Sequence, residues 1–227
     1  MRPHLTLPHL IHLQMKIFTA LLLMAAATSV TLYFSSFKQV AISPAKHLVN
    51  PKSIDDEDTR RRIRLKQKAT ILAKYASDNG FNTTHCFVMD LSIASGKKRF
   101  FVYDLKNDSV ECSGLVAHGS GSDTATGLYF SNTPGSNCTS LGKYKIGKSY
   151  YGTFGLAYKL HGLDKTNSNA FNRFVVLHAH GCVPDNEVKP LEICRSWGCP
   201  TVSPTFLSHL KTYLDKSKQP ILLWIFQ

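Results

Sequence analysis

Cys199, His178 and His180 have the types and spacing that suit nucleophilic acyl transfer. Cys199 follows Gly198, and a residue without a side chain allows a tight turn that leaves the next sulfur exposed. Both histidines stand at the end of an apolar run, where alternate residues of a strand share one face. A histidine that reaches the sulfur can take its proton and supply a thiolate. The pattern therefore predicts a cysteine-dependent acyltransferase with either histidine as the base.

The segment around Cys199 also predicts how charge on a substrate oxygen is stabilised. Three consecutive backbone N–H groups can converge on an oxyanion, those of Trp197, Gly198 and Cys199. Pro200 ends any strand and fixes the exit of the turn. No acid stands out as a partner for the imidazole apart from Asp185 and Glu187. We therefore expect a backbone carbonyl to orient the base.

The cysteine content fits an oxidising compartment. The six cysteines are Cys86, Cys112, Cys138, Cys182, Cys194 and Cys199, and no two of them form a CxxC pair, which argues against a zinc ribbon. If Cys199 is a free thiol, five remain and at most two disulfides form. Cys182 and Cys194 flank one loop and are the first expected pair, and Cys112 with Cys138 is the second.

The N-terminal segment predicts export. Residues 17–37 contain no charged side chain and are bracketed by Lys16 and Lys38. About 20 apolar residues span a bilayer, so this run can be an anchor. It can equally be a secretory signal with a cleavage site near the alanines at 25–27. We expect a signal peptide or membrane anchor over 1–37, a linker over 38–52, and one catalytic domain over 53–227, in the cell envelope or periplasm.

The net charge of +12 raises the question of an anionic partner. Nucleic acid is a poor fit, because the basic residues are scattered along the chain. Their densest cluster, residues 60–68, falls in a predicted helix near the membrane end. We interpret this cluster as a solvated helix face that can contact anionic lipid head groups. The glycine-rich segment 118–122 lacks the lysine of a phosphate-binding loop and is expected to line a substrate cleft.

Most of the predicted elements are short strands. A helix should run from a cap at Ser53 to about Ser77, with an apolar stripe of Ile63, Ala69, Leu72 and Ala76. A second helix should follow the Ser203 cap and end near Asp215. Strands are predicted at 86–93, 99–105, 110–117, 143–146, 155–160, 174–177 and 221–226. The expected fold is mostly β, a sandwich or open barrel with an N-terminal helix and a short C-terminal helix.

The ordered set of segments resembles the murein L,D-transpeptidases, in a subgroup that ends in Ser-Trp-Gly-Cys-Pro, here residues 196–200. The resemblance covers residues 85–227 and adds an L,D-transpeptidase-like form to the expected fold. The segments that carry it are residues 116–122, 130–136, 140–142, 160–163, 169–173 and 174–200.

The resemblance implies roles for single residues. It makes Cys199 the nucleophile and His178 the base, because Arg173, the apolar run and the histidine match without a gap. His180, which precedes Gly181, remains the alternative base. The carbonyl of Ala179 should orient the imidazole. The oxyanion and positioning residues should be Ser196, Trp197 and Gly198.

Two departures from the wider family concern the substrate. Trp197 stands where many members have histidine, and the Pro200-Thr201 pair replaces a polar or basic residue after the cysteine. The groups that could hold the substrate carboxylate are Arg195, Arg173, Ser131 and Asn132. The resemblance implies no metal and no organic cofactor.

The implied reaction is acyl transfer on peptidoglycan stem peptides, with release of D-alanine and a thioester resolved by an amine or by water. We expect a monomer that binds no nucleic acid and meets the membrane only through its N-terminal segment. The alternatives are an L,D-carboxypeptidase, a wall endopeptidase, and a non-catalytic, disulfide-locked exported binding domain. The endopeptidases usually place cysteine before histidine, and this chain has the reverse order.

Overall fold

The computed structural model describes residues 51–227. The expected signal or anchor over 1–37 and nearly all of the expected linker lie outside the described residues. In the part of the chain that is described, no helix has both the length and the apolar character needed to cross a bilayer.

Residues 51–227 form two α-helices, α1 (Pro51–Asn79) and α2 (Pro204–Lys216), together with eleven strands. The strands are β1 (His85–Asp90), β2 (Phe100–Asp104), β3 (Ser109–Gly114), β4 (Val116–Ala117), β5 (Asp123–Thr124), β6 (Gly127–Leu128), β7 (Gly142–Gly152), β8 (Gly155–Gly162), β9 (Val176–Ala179), β10 (Thr201–Val202) and β11 (Leu222–Phe226).

Nine of the strands form one mixed sheet in the order β3-β2-β1-β11-β7-β8-β9-β10-β4, and β5 pairs with β6 separately. The two outermost strands, β3 and β4, are separated along the chain by Leu115 alone. The sheet therefore curls back on itself until it is nearly closed. This confirms the mostly β prediction and, of its two forms, favours the open barrel.

The sheet is not the simple meander that the first three strands indicate. The β1, β2 and β3 strands do pair antiparallel. However, β1 also pairs in parallel with β11, and β9 pairs in parallel with β10. These pairings join distant parts of the chain, so local apolar patterns could not reveal them.

The interior of the barrel is filled by aromatic and branched side chains, among them Phe87, Phe100, Leu177 and Leu223. The α2 helix covers this core with Phe206, Leu207 and Leu210. Its predicted cap is confirmed, since the Ser203 hydroxyl accepts a hydrogen bond from the N–H of Phe206 at 3.1 Å.

The α1 helix packs on the opposite face of the sheet. Its buried stripe is Leu65, Ala69, Leu72 and Ala76, which recurs with helical spacing. The predicted stripe had Ile63 in place of Leu65, but Ile63 is exposed. The helix also begins at Pro51, so Ser53 lies inside its first turn and not before it.

The β7 and β8 strands form a hairpin that is longer than predicted, pairing as far as Gly152 and Gly155. The exposed aromatic residues Tyr150, Tyr151 and Phe154 lie at its tip. The strand that carries the first histidine starts later than predicted, because Phe174 has a φ of 57° and belongs to a turn. The strand β9 also ends later than predicted, at Ala179, and so includes His178.

One of the two expected disulfides is confirmed. Cys182 and Cys194 are bonded across the loop that they flank. The expected pairing of Cys112 with Cys138 is wrong, since both are free thiols. The Cys138 thiol donates to the carbonyl of Gly121 at 3.0 Å, whereas Cys112 lies 4.0 Å from the hydroxyl of Tyr213.

Candidate active site

The turn that carries Cys199 is held by its own serine and by a neighbouring loop. The Ser196 hydroxyl donates to the carbonyl of Cys199 at 2.6 Å and accepts from the N–H of Gly198 at 3.1 Å. Ser196 also exchanges backbone hydrogen bonds with His118 and Ser120, at 2.9 and 2.7 Å. The glycine-rich segment that was expected to line a cleft therefore serves as the support of this turn.

Gly198 has the conformation that the sequence led us to expect of a tight turn. Its φ is +110°, a region that side chains rarely adopt. A Cβ added there would lie 2.7 Å from the carbonyl oxygen of Cys138. The turn at residue 198 thus requires glycine for both backbone and packing reasons.

Cys199 is a free, half-buried cysteine whose sulfur lies against the turn before β9. The N–H of Val176 donates to Sγ at 3.4 Å, and the thiol faces the carbonyl of Phe174 at 3.8 Å. Burial raises the pKa of the Cys199 thiol, while the Val176 N–H and the Arg173 charge oppose this rise. The resting group is therefore a neutral thiol.

His178 is buried on β9 with 5% of its surface exposed, and both ring nitrogens have partners. Nδ1 lies 3.1 Å from the carbonyl of Ala179, as the resemblance implied. A carbonyl can only accept, so Nδ1 carries the proton and Nε2 has a free lone pair. Nε2 lies 2.9 Å from Oγ1 of Thr201, whose hydroxyl therefore donates to it.

The surroundings of His178 keep it neutral. Burial lowers the pKa of the imidazole, the Ala179 carbonyl opposes this effect, and His180 adds to it. The ring of Phe154, from the tip of the β7–β8 hairpin, stacks on the imidazole at 4.8 Å between centroids. His178 is consequently a positioned, neutral imidazole, which is the state that a general base requires.

His180, the alternative base, lies at the same cavity but in a different setting. It is exposed, and its Nδ1 accepts from the N–H of Cys182 at 3.1 Å. Among the described residues, the hydrogen bonds of Cys199 Sγ go to the backbone of Val176 and Phe174, and none reaches either histidine.

The expected oxyanion donors are not equivalent. The Gly198 N–H is already engaged by the Ser196 hydroxyl. Within residues 51–227, the N–H groups of Trp197 and Cys199 have no hydrogen-bond acceptor, and they remain available for a substrate oxygen. The Trp197 side chain itself is 77% exposed.

The sulfur, both histidines and the turn surround one cavity of about 290 Å³. Its lining residues are Ala117, Phe154, His178, His180, Cys182, Cys194, Arg195, Ser196, Trp197, Cys199 and Thr201. The disulfide therefore forms part of the wall of the cavity.

The groups expected to hold a substrate carboxylate differ in availability. The Arg173 guanidinium donates to the carbonyls of Ser131 and Cys138 at 3.0 and 2.7 Å, so it braces the loop between them. Asn132 contacts the 165–169 segment. Of the expected groups, Arg195 lines the cavity, and it also pairs with Asp123 and Glu192.

A buried polar network behind the turn was not predicted from the sequence. Arg99 donates to Nδ1 of His118 at 2.7 Å, and Nε2 of His118 lies 2.8 Å from Oδ1 of Asp123. Asp123 in turn pairs with Arg195. Burial, together with the charges of Arg99 and Arg195, lowers the pKa of His118 to about 4.

Two further contacts of His178 were also missed. Thr201 was noted only as a departure after the cysteine, and Phe154 was not singled out. Each contact depends on pairing between β8, β9 and β10, since His178 lies opposite both Ala157 and Thr201. The sequence did contain one hint of the Thr201 contact. Thr201 is a polar residue two positions after Cys199, and residues with that spacing lie on the same side of an extended chain.

One group of side chains of the types that bind metal ions lies away from the cavity. Ligand atoms of His85, Asp104 and Glu111 lie within 4.8 Å of one another. The Asp104 carboxylate accepts from the N–H groups of Lys106 and Asn107, and His85 pairs with Glu111 at 3.1 Å. The Asp104 contacts stabilise the β2–β3 turn, and the His85–Glu111 pair joins β1 to β3.

Comparison with solved structures gives distant matches. An L,D-transpeptidase of Enterococcus faecium is 12% identical over 63% of this chain and 50% of its own, with a TM-score of 0.39. The helical cell shape determining protein Pgp2 of Campylobacter jejuni is 11% identical over 63% and 48%, with a TM-score of 0.42. An L,D-transpeptidase of Xylanimonas cellulosilytica is 15% identical over 67% and 68%, with a TM-score of 0.34. The chain thus spans about half the length of the first two.

No curated protein sequence matches the chain. In a comparison with protein families, the sequence model of the L,D-transpeptidase catalytic domain matches residues 57–224, which is well over half of the chain. The chain therefore belongs to the L,D-transpeptidase catalytic domain family.

Proposed function

We propose that this chain is a peptidoglycan L,D-transpeptidase that uses Cys199 as its nucleophile and His178 as its base. The observation that carries the proposal is the shared cavity of about 290 Å³, which a free thiol and a neutral, oriented imidazole both line, in a member of this family. In this proposal, residues 53–227 form the catalytic domain, and residues 1–37 direct export to the cell envelope.

The first step is acylation of the sulfur. His178 takes the thiol proton, and the thiolate attacks the carbonyl on the L-centre of the third stem residue. Negative charge that develops on the carbonyl oxygen is stabilised by the N–H groups of Trp197 and Cys199, which have no acceptor among the described residues. Terminal D-alanine leaves with the proton from His178, and a thioester remains.

The second step decides the product. An amine of a second stem resolves the thioester to give a cross-link. Water hydrolyses the thioester instead, and the net activity is then that of an L,D-carboxypeptidase. No metal takes part in either route. Arg195 is the cationic group at the cavity that is suited to a substrate carboxylate.

His178 is preferred to His180 because its environment fits a base. It is buried, oriented by Ala179 and unprotonated, whereas His180 is exposed and accepts from a backbone N–H through Nδ1. The free state of Cys199 also disfavours the alternative of a disulfide-locked binding domain.

The test combines the purified protein with a stem tetrapeptide and follows D-alanine release and the mass of the acyl-enzyme. Cys199→Ala should abolish both signals. His178→Gln should slow release about a hundredfold or more, the loss typical of a missing general base. The matched control His180→Gln should stay near the wild-type rate.

An acyl adduct that persists in Cys199→Ala would refute the proposed nucleophile. A larger loss in His180→Gln than in His178→Gln would reverse the assignment of the base. Product masses with and without an amine acceptor separate cross-linking from hydrolysis, and N-terminal sequencing of the mature protein separates a cleaved signal from an anchor.

A further inference from the structure

The Thr201 hydroxyl is the hydrogen-bond partner of Nε2 of His178, and both residues line the cavity that Cys199 also lines. Oγ1 of Thr201 lies 2.9 Å from Nε2 of His178, and β9 and β10 pair in register at these two residues. The contact is buried, since Thr201 is 3% exposed and His178 is 5% exposed. The lone pair of Nε2 is therefore occupied by a buried hydroxyl group.

The direction of this hydrogen bond follows from the other side of the ring. Nδ1 donates to the Ala179 carbonyl at 3.1 Å, which leaves Nε2 as an acceptor. The Thr201 hydroxyl must donate to Nε2, and its oxygen keeps lone pairs for a second donor. The other acceptor near this hydroxyl, the Cys199 carbonyl, lies farther away at 3.4 Å.

Cys199 supplies a suitable second donor. Its thiol proton is retained at rest, and Cys199 lines the same cavity as Thr201 and His178. The thiol faces the Phe174 carbonyl at 3.8 Å, which is a long contact that rotation of the side chain can break.

We propose that Thr201 relays the proton between Cys199 and His178. The S–H bond breaks as a new O–H bond forms at Oγ1, while the original hydroxyl proton passes to Nε2. The products are a thiolate, an imidazolium and an unchanged threonine. The same path run backwards delivers the proton towards the leaving amine. This inference rests on the proposed function, because it assumes Cys199 as nucleophile and His178 as base.

The test uses two variants of Thr201 that exchange its two groups. Thr201→Val keeps the shape and the methyl but removes the hydroxyl, and Thr201→Ser keeps the hydroxyl but removes the methyl. The readout is the rate of Cys199 acylation by a carbapenem, followed by intact mass, with unfolding temperatures measured for both. The valine variant should react about tenfold to a hundredfold more slowly. The serine variant should keep most of the wild-type rate.

A packing role for Thr201 predicts the opposite order, with serine impaired and valine unaffected. A valine variant at the wild-type rate, or a serine variant as slow as valine, would overturn the relay. A second measurement uses the His178→Gln background, where Thr201→Val should cause no further loss, because the two residues act in one path. An equal further loss there would also overturn the relay.

The outcomes separate this inference from the proposed function. Labelling of Cys199→Ala at the wild-type rate would refute the nucleophile itself. Loss of labelling in Cys199→Ala together with full labelling of Thr201→Val would refute the relay alone.

Discussion

At the level of single residues, Cys199 and His178 are both neutral at rest. Burial raises the pKa of the thiol and lowers the pKa of the imidazole, so both shifts disfavour a thiolate–imidazolium pair. In the proposed reaction, the thiolate–imidazolium pair is therefore short-lived. The imidazole that would receive this proton is held by the Ala179 carbonyl at Nδ1 and by the Thr201 hydroxyl at Nε2.

The backbone conformation of Gly198 determines where the neighbouring Cys199 lies. Gly198→Ala would force a Cβ to within 2.7 Å of the Cys138 carbonyl at a φ of +110°. We expect the variant to lose about 1–3 kcal/mol of unfolding free energy, the usual cost of such strain, and to acylate more slowly. Denaturant unfolding and carbapenem labelling measure the two effects.

The matched control for this change is Gly181→Ala. An added Cβ at Gly181 meets no atom within 4 Å, and its φ lies outside the positive region. This variant should keep wild-type stability and labelling. Equal stability of the two variants would contradict the requirement for glycine at position 198.

At the level of elements, a network that runs from the buried Arg99 and His118 through Asp123 to the exposed Arg195 links the end of β4 to the turn that carries Cys199. Because Arg99 donates to Nδ1 of His118, protonation of that nitrogen would break the contact. The His118 backbone carbonyl also accepts from the N–H of Ser196 at 2.9 Å. Changes at His118 should therefore reach the turn.

The network makes stability depend on pH. The pKa of His118 is about 4 in the fold against an ordinary value of 6.5. Between these values the unfolded chain binds a proton that the folded chain does not, so the unfolding free energy falls as the pH falls. The loss should approach about 3 kcal/mol near pH 4. Denaturant unfolding at a series of pH values in wild type and His118→Gln measures this contribution.

His209→Gln is the matched control, because His209 is exposed on α2. The pH dependence should weaken in His118→Gln and persist in His209→Gln. An unchanged slope in His118→Gln would show that other groups cause the acid loss.

Elements with strong local signals were predictable, and contacts between distant elements were not. The Ser203 cap and the apolar run of β11 were visible in the sequence, and both are present. The parallel register that brings Thr201 to His178 joins residues far apart in the chain, so no local pattern encodes it. The stack of Phe154 on His178 likewise needed the full length of the β7–β8 hairpin.

At the level of the whole molecule, the disulfide connects the barrel to the loop that forms one wall of the cavity. Cys182 and Cys194 close the loop between β9 and the turn that carries Cys199, and both line the cavity. This pair was predictable because the two cysteines flank one loop. The absence of a Cys112–Cys138 bond was not, since it depends on where β3 and the 131–140 loop lie in three dimensions.

Removal of this disulfide should destabilise the fold through the unfolded state. The bond closes a loop with a sequence separation of 12, and such a loop is worth about 3 kcal/mol in chain entropy. Cys182→Ser/Cys194→Ser should therefore unfold at lower denaturant, and carbapenem labelling of Cys199 should slow because the cavity wall loosens. The control Cys112→Ser changes a free, half-buried cysteine and should shift the midpoint less. Equal midpoints for wild type and the double variant would mean that the loop is held by its other contacts, such as the Val188 and Lys189 N–H groups that donate to the Gly96 carbonyl.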